Sequence, residues 1–309
     1  MLDKTKVRII EQIIKLRIAQ ILINERYKNG DFKIPIHLAM GHETLAVAVS
    51  EAMQNEDSLV LTHRNIHYNL ARMGTLKEEL DEYYLKETGL AQGRLGSMNL
   101  SNPTEGVIYS SSILGNNLPV AAGFALGNKS LGRNSNVVFV ATGDGAIEEG
   151  AFYESLLFMK SNHLNIVIIV ENNQWSLGTK IDERRCAIDL NSMASSFDME
   201  YFSLTGNDPF SYSDLMAELR QKVSISNTPF LVEVNLTTLG HWYMETKDFP
   251  NGKFINYHAG PAPKVNLADY PLISQNNDDP LFVLKEYLCD DDLSDISARL
   301  LAELEEELL

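Results

Sequence analysis

The chain has 309 residues, 44% hydrophobic and 22% charged, with a formal net charge of −16 at pH 7. Such a length allows one large or two smaller domains with a sizeable core, while the acidic excess argues against nucleic acid, which needs a basic footprint. Two cysteines, Cys186 and Cys289, are too few for a disulfide framework, and the longest aliphatic run, residues 166–170, is far short of the roughly 20 that cross a bilayer, so a cytoplasmic protein without a membrane segment is predicted.

Residues 1–27 are apolar, but Lys4, Lys6, Arg8, Glu11, Lys15 and Arg17 interrupt them, unlike the uncharged centre of a signal peptide. Ile9, Ile10, Ile13, Ile14, Ile18, Ile21 and Leu22 recur at three- and four-residue steps. That spacing predicts an amphipathic helix docked on the body of the protein or on a partner. Helices are also predicted over residues 43–53 and 75–87. Residues 91–117 are rich in glycine, serine and asparagine with little periodicity, the pattern of a functional or disordered irregular segment. A small-residue helix follows over 118–129.

The middle of the chain alternates strand and helix. Residues 136–142 form a β-branched run ending at Gly143-Asp144-Gly145, and a helix is predicted over 148–162. A second strand, 165–170, ends in Glu171-Asn172-Asn173, and a third, 230–236, follows a helix over 212–224. Apolar strands alternating with helices imply an α/β fold, a parallel sheet covered on both faces. No linker or internal repeat divides it, so residues 31–309 are expected to form a single domain, preceded by a helical arm over 1–30. Terminal helices are predicted over 279–288 and 293–308, the last with an acidic, solvated end: residues 290–309 hold eight acids against Arg299.

Ligands collect outside the carboxyl ends of parallel strands. Asp144 and Asn173 sit at two such ends, Gly143 and Gly145 let a bulky anion approach the backbone, and a helix opening near Ala146 turns free N–H groups toward it. A carboxylate, an amide oxygen and a diphosphate make an all-oxygen set that suits Mg²⁺. Gly-Asp-Gly alone, or Asn-Asn alone, is an ordinary turn. On successive strand ends, separated by the 26 residues from Ala146 to Glu171, they carry more weight.

This segment, 143–146 with 171–179, resembles the alpha subunit of the thiamine-diphosphate-dependent, decarboxylating component of 2-oxo acid dehydrogenases. The resemblance extends over roughly residues 10–240, through His37-Leu38 with Gly41-His42-Glu43, Thr62-His63-Arg64, residues 93–98 and residues 110–123. It implies a three-layer thiamine-diphosphate-binding fold with a central parallel sheet and helices on both faces. It also implies that Asp144, Asn173 and the main-chain carbonyl of Trp175 hold Mg²⁺. Arg64 would pair with the diphosphate, beside His63, Gly143, Gly145 and Ala146, with Ser112 and Leu114 under the aminopyrimidine. His37 would face a small-molecule substrate. In the resembling family a second chain supplies the glutamate that activates the aminopyrimidine, and this chain carries only the diphosphate half. A beta-type partner is therefore expected, in an α₂β₂ assembly, with acyl transfer to a lipoyl carrier.

The match has departures. Asn99 stands where the family usually has His, and Leu236-Thr237-Thr238-Leu239 replaces the Tyr-Arg segment before Gly240-His241, so His241 or a backbone group must replace an arginine at the diphosphate. Residues 237–264 are instead similar to transketolase, which implies a catalytic His258 over the thiazolium and an alternative reaction, ketol or aldehyde transfer on a sugar-like substrate. Histidine suits proton transfer near neutral pH.

Overall fold

The computed structural model describes residues 3–73 and 75–309; Met1 and Leu2 of the predicted first helix lie outside them. In chain order the elements are α1 (Lys4–Lys28), α2 (Glu43–Ala52), β1 (Ser58–Thr62), α3 (Ile66–Arg72), α4 (Leu76–Tyr83), β2 (Val107–Ser111) and α5 (Asn117–Ser130). Then come β3 (Val138–Gly143), α6 (Gly150–Ser161), β4 (Ile166–Asn172), the two-residue strands β5 (Trp175–Ser176) and β6 (Thr179–Lys180), α7 (Ile181–Arg184), α8 (Leu190–Ser196), β7 (Tyr201–Leu204) and α9 (Pro209–Ser226). The chain closes with β8 (Phe230–Asn235), the hairpin β9 (Trp242–Met244) and β10 (Lys253–Ile255), α10 (Pro280–Leu284) and α11 (Asp290–Glu307).

Six strands form one sheet in the order β2-β1-β3-β4-β8-β7, with every neighbouring pair parallel. Alternate residues of β3 and β4 enter two separate cores: Phe139, Ala141, Val167 and Ile169 face one, Val138, Val140, Ile166 and Ile168 the other. The first core is closed by α1, α2, α9 and α11, the second by α5, α6 and α8. The result is the expected three-layer α/β fold. No helix among the described residues is long and apolar enough to cross a membrane.

The strand order reverses between β1 and β3, so their carboxyl ends diverge and leave a crevice, the usual ligand position in such sheets. Gly41, at φ +98°, lets the loop before α2 reach that crevice: a Cβ there would lie 2.0 Å from the Thr237 carbonyl, and the Leu239 N–H donates to the Met40 carbonyl at 2.7 Å. Two local expectations are corrected. The stretch 91–117 contains a strand, β2, which packs beside β1 at the sheet edge. The helix after Asp144 opens not at Ala146 but at Gly150, preceded by a single 3-10 turn over Ala146–Glu148.

Candidate active site

A cleft opens at the carboxyl end of the sheet, where ligands of parallel sheets collect. Each wall is a strand end. Thr62 ends β1, with His63 and Arg64 after it, and Ser111 ends β2, with Ile113, Leu114 and Gly115 after it. Gly143 closes β3, with Asp144, Gly145 and Ala146 after it. Asn173, Trp175, Ser176 and Leu177 follow β4, and His42, Glu171 and His258 complete the lining. Ten of the residues singled out from sequence thus meet here although they come from five separate stretches of chain: His63, Arg64, Leu114, Gly143, Asp144, Gly145, Ala146, Asn173, Trp175 and His258.

Asp144 is buried, and Arg184 donates to its Oδ2 at 2.8 Å. Arg184 also bonds Glu148, which accepts from Arg185 Nε at 3.1 Å, so the segment after β6 is clipped onto the Gly-Asp-Gly turn by two guanidiniums. Burial raises the Asp144 carboxyl to about 6, against the lowering pull of Arg184. Gly145 is needed for this closure, because a Cβ there would lie 2.7 Å from Ser176 Oγ.

Arg64 is buried and donates to the main-chain carbonyls of Leu38 and, at 3.0 Å, His258. It therefore pins the segment that carries His258 to the segment that carries His37. Tyr257 reinforces the tie: its hydroxyl donates to the Gly260 carbonyl at 2.9 Å and accepts from the Leu38 N–H at 3.2 Å. The rings of His37, His63 and His258 stand 4.7, 5.0 and 5.6 Å apart. Burial first, then the Arg64 charge, lowers His37 to about 2 and both His63 and His258 to about 4, so all three are neutral near pH 7. His37 lies behind the lining, and its Nδ1 is buried with no hydrogen-bond partner among the described residues.

Two expected residues lie elsewhere. Ser112 is exposed and outside the cleft lining, where its neighbour Ser111 stands instead; its N–H donates to Asn99 Oδ1 at 3.2 Å. His241 is also exposed and outside the lining, because its ring packs 5.1 Å from Phe254 of the β9–β10 hairpin, which in turn stacks on Trp175.

The residues that sequence reasoning missed form a buried polar group behind Asn173. Glu171 accepts from Tyr68 at 2.6 Å, and lies 3.3 Å from His67 Nε2 and 3.2 Å from His42 Nδ1. Burial pushes its carboxyl up, but His67 and His42 outweigh this and hold it well below the usual carboxylate range. Burial in turn lowers His42, keeping that ring neutral. The signal was present in the Gly-His-Glu and Glu-Asn-Asn segments, but nothing local links residues 129 positions apart.

Among known proteins, residues 13–245 match the dehydrogenase E1 component family. The alpha subunit of the pyruvate dehydrogenase E1 component of Rickettsia bellii is 30% identical over 229 residues, covering 74% of this chain and 70% of that protein. The alpha subunit of acetoin:2,6-dichlorophenolindophenol oxidoreductase of Bacillus subtilis is 26% identical over 233 residues, covering 75% of this chain and 70% of its own length. Among solved structures, a transketolase of Pichia stipitis superposes with a TM-score of 0.59 at 14% identity, and one of Leishmania mexicana with 0.57 at 14%. They cover 97% and 96% of this chain, which spans only 44% and 45% of theirs. At that identity the likeness is one of fold.

Proposed function

We propose, from the premise that this chain belongs to the dehydrogenase E1 component family, that it is the alpha subunit of a heteromeric thiamine-diphosphate enzyme that decarboxylates a 2-oxo acid and passes the acyl group to a lipoyl carrier. One observation carries the reading: Asp144 and Asn173, on the adjacent strand ends β3 and β4, line a single cleft at the reversal of the sheet. Asp144, Asn173 and the Trp175 carbonyl fit Mg²⁺, being oxygen donors of the type it prefers. Gly143, whose Cβ position is open space, leaves the turn accessible to a diphosphate, and Leu114, 49% exposed, presents an apolar surface to the cofactor's middle. The cofactor, when bound, supplies a nucleophilic carbon and an electron sink. His63 and His258 are neutral and uncharged at rest, able to hold or pass a proton at a ring nitrogen, with Arg64 fixing where His258 stands.

A beta-type partner is supported by the outer face of α5 and α6. Phe124, Leu131, Leu157 and Phe158 are 44, 68, 57 and 43% exposed, next to Gly123 and Gly127, whose open Cα faces admit another chain closely. An apolar face of this kind marks an interaction site, and the cleft has exposed apolar side chains of its own in Ile113 and Leu114, at 68 and 49%. We read the assembly as α₂β₂, with the partner completing the aminopyrimidine side. The chain itself reads as one domain over 31–309, with 1–30 as an arm whose isoleucines join the same core as α2 and α9. Exposed, unbridged Cys186 and Cys289 fit a cytoplasmic setting.

A second reading, ketol or aldehyde transfer on a sugar-like substrate, is favoured by the cluster of His37, His63 and His258, since neutral imidazoles both donate to and accept from hydroxyls. The test is calorimetric titration of thiamine diphosphate and Mg²⁺ into the chain alone and with its beta partner, beside Asp144→Ala. Binding that needs the partner and disappears in the variant supports the assignment; no binding by the complex overturns both enzymatic readings. Turnover of 2-oxo acids against hydroxyketones then separates the two.

A further inference from the structure

An asparagine can offer a cation either an oxygen or an NH₂ group, and only the first binds it. Asn173 is the one side chain of the proposed cation set for which this choice exists, and the buried group behind it makes the choice together with the Trp175 N–H. The Glu171 carboxylate can only accept, so the His42 Nδ1 at 3.2 Å must carry the proton. In a neutral ring that leaves Nε2 as an acceptor. The Thr238 hydroxyl, 2.8 Å away, therefore donates its single proton to His42. Its oxygen is then free only to accept, and it does so from Asn173 Nδ2 at 2.9 Å. The amide is thereby fixed with NH₂ toward Thr238 and Oδ1 on the other side, where it accepts the Trp175 N–H at 3.0 Å and keeps a lone pair. Tyr68 and His67 hold the far end by donating to Glu171 Oε1.

We propose that Thr238, its hydroxyl turned by His42 and Glu171, is a positioning residue that keeps the oxygen of Asn173 available to a divalent cation. Each link removes the freedom of the next: an acceptor-only carboxylate sets a tautomer, the tautomer sets a hydroxyl, and the hydroxyl sets an amide. His42 and Glu171 are buried, and Thr238 is 6% exposed, so water does not readily substitute for a missing link. Outer groups of this kind typically change metal affinity by about 10- to 100-fold when removed.

The inference rests on Asp144 and Asn173 being cation ligands, and the experiment separates the two. Mn²⁺ replaces Mg²⁺ in the complex of the chain with its beta partner at saturating thiamine diphosphate, and free Mn²⁺ is counted by electron paramagnetic resonance. Thr238→Val keeps the shape and removes the hydroxyl; Thr238→Ser keeps the hydroxyl. The expected result is Mn²⁺ affinity about 10-fold or more weaker in the valine variant, restored to within about threefold by serine. Equal affinity in wild type and Thr238→Val, or equal loss in both variants, overturns the positioning role alone. No Mn²⁺ binding by the wild-type complex overturns the ligand assignment beneath it.

Discussion

Two sets of titratable side chains, one partly and one fully buried, pull the pH dependence of stability in opposite directions. His63 and His258, at about 4 in the folded chain, sit below the ordinary 6.5, so their contribution is complete above pH 6.5 and is lost as pH falls toward 4. The melting temperature is therefore expected to fall between pH 6.5 and 4, and His63→Gln with His258→Gln to flatten that limb in a calorimetric series. Glu79 behaves oppositely. It is fully buried, bonded by Tyr83, with Oε2 unpartnered among the described residues, and burial raises it to about 8. Its contribution is present below pH 4.5 and lost as pH rises through 8, so Glu79→Gln should stabilise the chain at pH 9 by at least about 1 kcal/mol, by chemical denaturation, and leave it little changed at pH 5. At this scale Asp144 and Asn173 were legible because their neighbours, glycines and a second asparagine, mark them as strand ends. Ser112 was not separable from Ser111, since a serine run without periodicity does not say which hydroxyl turns inward. His42 and Glu171 acquire their roles only from each other, across the sheet.

The strands β3 and β4 could be read from the chain because each opens with a continuous apolar run buried on both faces, and β8 because its apolar run is interrupted only at Glu233. β2 and β7 could not: both are edge strands, short and partly exposed, and β2 is written in tyrosine and serine. The helix α1 shows the reverse error of expectation. Its isoleucine stripe predicts one buried face, yet Arg17, Gln20 and Asn24 are buried too, because α2 and the chain near residues 262–279 cover its polar side. On α5 and α6 the exposed apolar faces carry a prediction of their own. Phe124→Asp with Leu157→Asp should leave the melting temperature of the isolated chain within a degree or two and prevent assembly with the beta partner in sedimentation experiments, as charges at the centre of an interface do. Assembly of the double variant at wild-type affinity would place the partner elsewhere.

The molecule is tied end to end by one ionic knot. Arg17 of α1 donates to Glu43 at the start of α2, at 2.6 and 3.1 Å, and to Asp279 before α10, at 3.2 and 2.9 Å, with all three side chains at 0% exposure. Burial disfavours the guanidinium charge, but Asp279 and Glu43 outweigh it and hold its pKa above the ordinary value. Arg17→Met would leave two carboxylates buried without a counter-charge, and a loss of about 3–5 kcal/mol is expected in urea unfolding. Glu43 also accepts the Gly41 N–H at 2.7 Å, so the knot reaches the loop beside His42 and loosening it should weaken cofactor binding as well. The acidic last helix was expected as a solvated end. Its Glu307 in fact caps α4, accepting the Leu76 N–H at 2.8 Å while pairing with Lys15 of α1. The clip of Arg184 and Arg185 on Asp144 and Glu148 has a consequence for proteolysis. Those two arginines form a dibasic trypsin site whose side chains, 11 and 12% exposed, are gripped by the carboxylates a protease would have to displace. Digestion at that site then reports the state of the Gly-Asp-Gly turn: Asp144→Asn should be nicked faster than wild type, and the rate of nicking serves as a clock for the turn that needs neither substrate nor product.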